Sequence, residues 1–165
     1  MFDYKPDAGL EPQEVYRQLV DAADALTAGE PDPVANMANV AALIWEFVPD
    51  LNWAGFYRVG PGVESGEELI LGPFVGRPAC IRIPLNQGVC GSAAASGETL
   101  RIDDVHAFPG HIACDAASQS ELVVPVKRDS HVIAVIDLDS PKLGRFSAVD
   151  SQGIEVLARI LSDRI

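Results

Sequence analysis

Three cysteines stand at positions 80, 90 and 114, and their spacing limits the thiol chemistry open to them. The intervals of ten and twenty-four residues (90 − 80 and 114 − 90) offer no C-x-x-C pair, the usual sign of structural zinc. Joining His106 and His111 to Cys114 would need a site assembled from scattered loop residues. An odd number of cysteines behind a start without a secretory pattern also argues against a permanent disulfide framework. Buried thiols or redox chemistry remain. Cys80 and Cys90 read as readily as small core hydrophobes as they do as reactive groups. Cys114 differs, because it follows a Pro-Gly turn, between Ala113 and Asp115, with no apolar period to bury it. A partly exposed thiol becomes a nucleophile where a cation, a dipole or aimed donors favour its thiolate. His111 is the nearby cation, and the backbone amides of residues 113–116 would serve if they turned toward the sulfur.

A second group is acidic. Glu121 opens an apolar run, and Asp137 and Asp139 lie in VIDLDS. Two residues apart on a strand, Asp137 and Asp139 point to the same face. Carboxylates in an apolar sheet are costly unless paired, hydrogen-bonded or used. Asp139, before Ser140-Pro141, reads equally as the start of a turn; Asp137, between Ile136 and Leu138, does not. Several carboxylates in one pocket suit a ligand with an ammonium group, or an oxygen that must receive a proton from a carboxyl held neutral by its neighbours. In NWAGFY, Trp53, Gly55 and Tyr57 share one strand face and Phe56 the other. Phe56 reads as core, and Trp53 and Tyr57 as an aromatic notch left open by Gly55.

These groups need a scaffold. Val15, Leu19, Ala22, Ala23 and Leu26 recur at helical spacing between Pro12 and Thr27, with Gly29 as a stop. Asp32 as N-cap and Pro33 at the first position open a second helix that ends before Pro49. The period then changes. Strands are predicted over residues 53–59, 68–74, 80–84, 100–104, 121–126 and 132–138, with the last two joined by a tight turn at RDSH. GVCGSAAASG reads as a short helix between the third and fourth strands. Ser147 with Asp150 starts a closing amphipathic helix carrying Val149, Leu157, Ile160 and Leu161. Residues 105–120 have no clear period; such long connections are usually binding or active-site loops. The layout is α+β, with a largely antiparallel sheet, N- and C-terminal helices on one face and loops on the other.

The chain has 165 residues, 48% of them hydrophobic, which fits one domain spanning residues 1–165. The 12 Lys and Arg stand against 24 Asp and Glu, a net charge of −12 that disfavours nucleic acid and anionic membranes as partners. With no apolar run of membrane-spanning length and no signal peptide, a soluble cytoplasmic protein is expected. No cofactor is expected either: the one G-x-G, at Gly60 and Gly62, precedes no helix of the kind a dinucleotide site requires.

The strings NWAGFY, LGPFVGRPACIRIP, GVCGSAAA, DVHAFPGHIACDAASQSELVVPV and VIDLDSP resemble the free methionine-R-sulfoxide reductases, a family with the GAF fold, from about the first helix to the C-terminus. The resemblance implies that Cys114 is the nucleophile that attacks the sulfoxide sulfur and is left as a sulfenic acid. It implies Cys80 as the principal resolving cysteine and Cys90 as a third that can also join a disulfide, with the division between these two open. It places Glu121, Asp137 and Asp139 on the carboxylates that bind the amino group and polarise the oxygen, and Trp53 and Tyr57 on the aromatics that hold the methyl end. Thioredoxin as reductant, a homodimer, the R epimer and restriction to the free amino acid are likewise implied. Gln87 departs from the basic residue common before GVCG. The chemistry is coherent: sulfoxide reduction needs a soft nucleophile, a proton source and a second thiol to recover the sulfenic acid. The competing class is a noncatalytic GAF module that senses a small ligand. Such a sensor normally carries an output domain, which 165 residues leave no room for, and has no use for three motif-placed cysteines.

Overall fold

The structure, a computed structural model, describes residues 4–110 and 115–165. Two helices come first, α1 (Pro12–Thr27) and α2 (Pro33–Phe47). The Asp32 carboxylate caps α2 by accepting from the Val34 and Ala35 amides at 2.8 and 2.9 Å, and Pro33 occupies the first turn, where its missing N–H costs nothing. The strands are β1 (Trp53–Pro61), β2 (Glu67–Gly76), β3 (Arg82–Pro84), β4 (Leu100–Ile102), β5 (Ser120–Arg128) and β6 (His131–Ser140). Helix α3 (Gly88–Ser96) lies between β3 and β4, and α4 (Ala148–Leu161) closes the chain behind a capping box of Ser147 and Asp150.

The six strands form one sheet in the order β3-β2-β1-β6-β5-β4, and every pairing is antiparallel. Asp129 and Ser130 both take positive φ, 48° and 67°, the left-handed pair that a two-residue hairpin between β5 and β6 requires. Alternation along the strands divides the sheet into two faces. Ala54, Phe56, Leu122, Val124, Ile136 and Leu138 pack with α1, α2 and α4 into the larger core. Trp53, Tyr57, Val123 and Val135 point to the opposite face, where Val89, Cys90, Ala93 and Ala94 of α3 form a second core. The cover of that face is therefore a helix as well as loops. No helix among the described residues is long and apolar enough to cross a membrane.

Two strands are shorter than the pattern predicts, for local reasons. β3 begins at Arg82 and not at Cys80, because the Cys80 carbonyl is turned to accept from the Tyr57 hydroxyl at 3.0 Å. β4 ends at Ile102 because the Asp104 carboxylate caps a 3-10 turn, Val105–Ala107, through the His106 amide.

Candidate active site

Strand register assembles the site. In β1, β6 and β5, Trp53 pairs with Asp139 and Asp139 with Glu121, while the next same-face row runs from Gly55 through Asp137 to Val123. The sheet therefore carries all three acidic residues onto the α3 face, with Glu121 brought to the Asp pair by a neighbouring strand. A cavity of about 30 Å³ opens over them. It is walled by Trp53 and Tyr57, floored by Cys90, Glu121 and Asp137, and rimmed by Arg77, Asp115 and Ser118. That is room for about two waters.

The aromatic wall differs from the expected notch. A Cβ on Gly55 would lie 2.4 Å from Phe74 Cβ and 2.8 Å from the Pro73 carbonyl oxygen, so Gly55 serves the close approach of β2 at a break in register. The space is filled. Trp53 stacks on Phe74 with centroids 5.2 Å apart and on Tyr57 at 5.8 Å. The Trp53 indole N–H donates to the Arg77 carbonyl at 3.2 Å. The three rings form one continuous stack. Gly91 has a comparable part in α3: a Cβ there would lie 2.3 Å from the Pro84 carbonyl oxygen, so its absence lets the helix press against β3 and sets the depth of Cys90.

Electrostatically the pocket has a floor and a rim. Glu121 and Asp137 are 6% and 5% exposed, and Asp137 Oδ1 has no hydrogen-bond partner. Burial, reinforced by Asp137 and Asp139, pushes the Glu121 carboxyl well above the carboxylate range; burial raises Asp137 to about 7 and, with the Asp137 charge, raises Asp139 too. Three carboxyls this close and this dry do not all ionise near neutral pH, so the floor retains protons. At the rim Asp115 is held low, by the Ala117 amide, by Asn52 and by the Arg77 guanidinium. Asn52 Nδ2 donates to Asp115 Oδ2 at 3.1 Å and to Ser118 Oγ at 3.0 Å, tying the loop after residue 114 to the start of β1.

The cysteines are distinct. Cys90 is a free, buried thiol that contacts Glu121 Oε1 at 3.7 Å. Burial and the Asp137 and Glu121 charges hold its proton on, so Cys90 is a poor nucleophile. Cys80 is disulfide-bonded. Cys114, the expected nucleophile, and His111 lie outside the described residues. Of the other residues singled out in the sequence, Cys90, Glu121, Asp137, Asp139, Trp53 and Tyr57 all line the cavity, and Cys80 is adjacent through its bond to Tyr57. Sequence reasoning passed over Asn52, Arg77, Asp115 and Ser118 as site residues. The usable signal was proximity in the chain, since Asn52 precedes Trp53 and Asp115 follows Cys114.

Ligating chemistry is present in one place among the described residues: one ligand atom each of Cys90, Glu121 and Asp137 lie within 4.8 Å of one another. His106 is not in that group.

A family model described as GAF domain matches residues 35–165. The chain is 48% identical to the free methionine-R-sulfoxide reductase of Escherichia coli, over 87% of this chain and 84% of that one. It is 39% identical to the yeast (Saccharomyces cerevisiae) protein of the same name, over 94% and 88%. Among solved structures, the free methionine-R-sulfoxide reductase of Neisseria meningitidis in complex with its substrate superposes with a TM-score of 0.89 at 41% identity, covering 97% of this chain and 93% of that one.

Proposed function

The chain belongs to the GAF domain family and, within it, to the free methionine-R-sulfoxide reductases, and we propose that it reduces free L-methionine (R)-S-oxide to methionine by thiol chemistry. The observation that carries this reading is the pocket floor, where Glu121, Asp137 and Asp139 share too few charges for three carboxylates beside a stacked aromatic wall. An ionised member of the trio receives the substrate's ammonium group, and a protonated one donates to the sulfoxide oxygen. Trp53 and Tyr57, which line the cavity, take the S-methyl end. Arg77, the one cation among the described lining residues, stands at the rim for the α-carboxylate that a free amino acid has and a peptide-linked residue lacks.

In this reading the Cys114 thiolate attacks the sulfoxide sulfur while a floor carboxyl protonates the oxygen. The oxygen passes to Cys114 as a sulfenic acid, and methionine leaves as the thioether. The Cys80 thiol then displaces hydroxide from the sulfenic sulfur, which departs as water, and a disulfide forms. An external dithiol, thioredoxin, reduces that disulfide by exchange and returns both thiols. The disulfide-bonded state of Cys80, against the free thiol of Cys90, supports Cys80 as the resolving cysteine. The high proton affinity of Cys90 supports the same division.

The two epimers, assayed separately with a dithiol or thioredoxin system, test the proposal. The R epimer should be consumed and the S epimer left. Cys114→Ser should abolish even a single turnover, whereas Cys80→Ser should release one methionine per site and then recycle slowly. Full turnover by Cys114→Ser would sink the assignment. The same reading places the protein in the reducing cytoplasm as a homodimer joined through its N-terminal helices, where α2 exposes Val34 and Trp45. Sedimentation should give twice the chain mass of 17.6 kDa; a monomer at micromolar concentration would refute that arrangement.

A further inference from the structure

The pocket floor gathers three side chains of metal-ligating chemistry from three elements: Cys90 from α3, Glu121 from β5 and Asp137 from β6. All three are buried, and one sulfur and two carboxylate oxygens lie within 4.8 Å of one another. Cys90 Sγ and Glu121 Oε1 are 3.7 Å apart. A tetrahedral zinc with bonds of ~2.3 Å to sulfur and ~2.0 Å to oxygen holds its two ligand atoms ~3.5 Å apart. This pair already stands at the span of one ion. A second sign comes from Asp137, a member of the group and 5% exposed, whose Oδ1 has no hydrogen-bond partner. A buried carboxylate oxygen with no donor is costly, and a cation would remove the cost.

We propose that, in the absence of substrate, Cys90, Glu121 and Asp137 bind one zinc-class divalent cation with its fourth position open to the cavity, and that this cation competes with the substrate. The thiol selects a borderline-to-soft metal over magnesium or calcium. Ligation displaces the Cys90 proton, since a coordinated thiol is deprotonated by the metal's own charge. Asp115, held ionised at the rim of the same cavity, adds to the negative potential that draws a cation in. The competition rests on the reductase reading; the binding does not.

Cadmium reports the site directly through its thiolate charge-transfer absorption. In Cys80→Ser/Cys114→Ser protein, where Cys90 is the remaining thiol, a cadmium titration should saturate at one ion per chain, and zinc but not magnesium should reverse it. Adding Cys90→Ser should remove the band. Asp137→Asn and, as a second variant, Glu121→Gln should weaken binding by about tenfold or more, with circular dichroism matching the parent. In the wild-type enzyme, zinc should raise the KM for methionine sulfoxide and leave kcat unchanged, and Cys90→Ser should be at least tenfold less sensitive relative to its own zinc-free rate. No saturable band, or a band unmoved by both carboxyl variants, overturns the site. A band with turnover indifferent to zinc overturns the competition alone. A band in a protein without turnover supports the site and defeats the reductase reading.

Discussion

Cys90 shows how far environment decides what a side chain does. Burial opposes a negative sulfur there, and the neighbouring Asp137 and Glu121 oppose it further. In the proposed reaction, burial and these carboxyls together keep the nearest thiol protonated, so the nucleophile is assigned to Cys114 and not to Cys90. Arg77 is in the opposite situation, since its side chain is 78% exposed and its 3.9 Å approach to Asp115 is long for an ion pair. Such a pair contributes little to stability and leaves the cation available to a ligand. Arg77→Ala should therefore raise KM for free methionine sulfoxide by roughly tenfold, the scale of one charge-assisted contact, with little effect on thermal stability. An unchanged KM in steady-state assays would remove Arg77 from carboxylate recognition.

The helices matter to the site through the contacts that hold the sheet's other face. Asp150, in the first turn of α4, accepts from the Tyr16 hydroxyl at 2.6 Å, from the Ser147 amide and hydroxyl at 2.6 Å each, and from Arg145 at 3.1 Å. Burial opposes its charge, but Ser147, Tyr16 and Arg145 prevail and hold the carboxyl below its usual range. One carboxylate therefore caps α4, ties it to α1 and anchors the 145–147 turn. Next to it, a Cβ on Gly153 would lie 2.2 Å from Tyr16 Cγ, so the two helices touch where no side chain intervenes. Gly153→Ala gains helix propensity of about 1 kcal/mol and loses that contact. Overpacking should win, and denaturant unfolding should show a net loss of about 1–3 kcal/mol. Stabilisation instead would mean that α1 and α4 shift apart freely.

For the whole molecule the acidic floor makes a destabilising contribution that depends on pH. Asp137 is raised from 3.8 to about 7, and Glu121 and Asp139 move in the same direction. The folded state then binds protons more tightly than the unfolded chain does, so stability falls as pH rises from about 4 to about 7. This is opposite to the behaviour of a salt-bridged carboxylate such as Asp150. The substrate-free protein should lose Tm across that window, and Asp137→Asn should flatten the fall. A Tm that rises steadily from pH 4 to pH 7 in both proteins would contradict the protonated floor. A ligand ammonium group should restore the stability lost at the upper end, because it neutralises the charge that ionisation creates.

Much of this is legible in the sequence alone. The first two helices, the RDSH turn and the Ser147 cap depend on residues within a few positions of each other, and periods of 3.6 and 2 are written directly in the chain. The same period placed Asp137 and Asp139 on one face and set Phe56 against Trp53 and Tyr57. Distances between elements are not local. That Glu121 stands opposite Asp139 depends on the register of β5 against β6, and the depth of Cys90 depends on Gly91 meeting Pro84. The space at Gly55, open when β1 is read by itself, is filled by Phe74 of β2. Whether the carboxyls are charged follows from their burial, which exists only once α3 covers the sheet. The sequence by itself determined which groups are present and which way each faces along its own strand. Only the tertiary structure decided which of them meet, how dry they are and so which keep their protons, because those properties arise from residues that are neighbours in space and not in the chain.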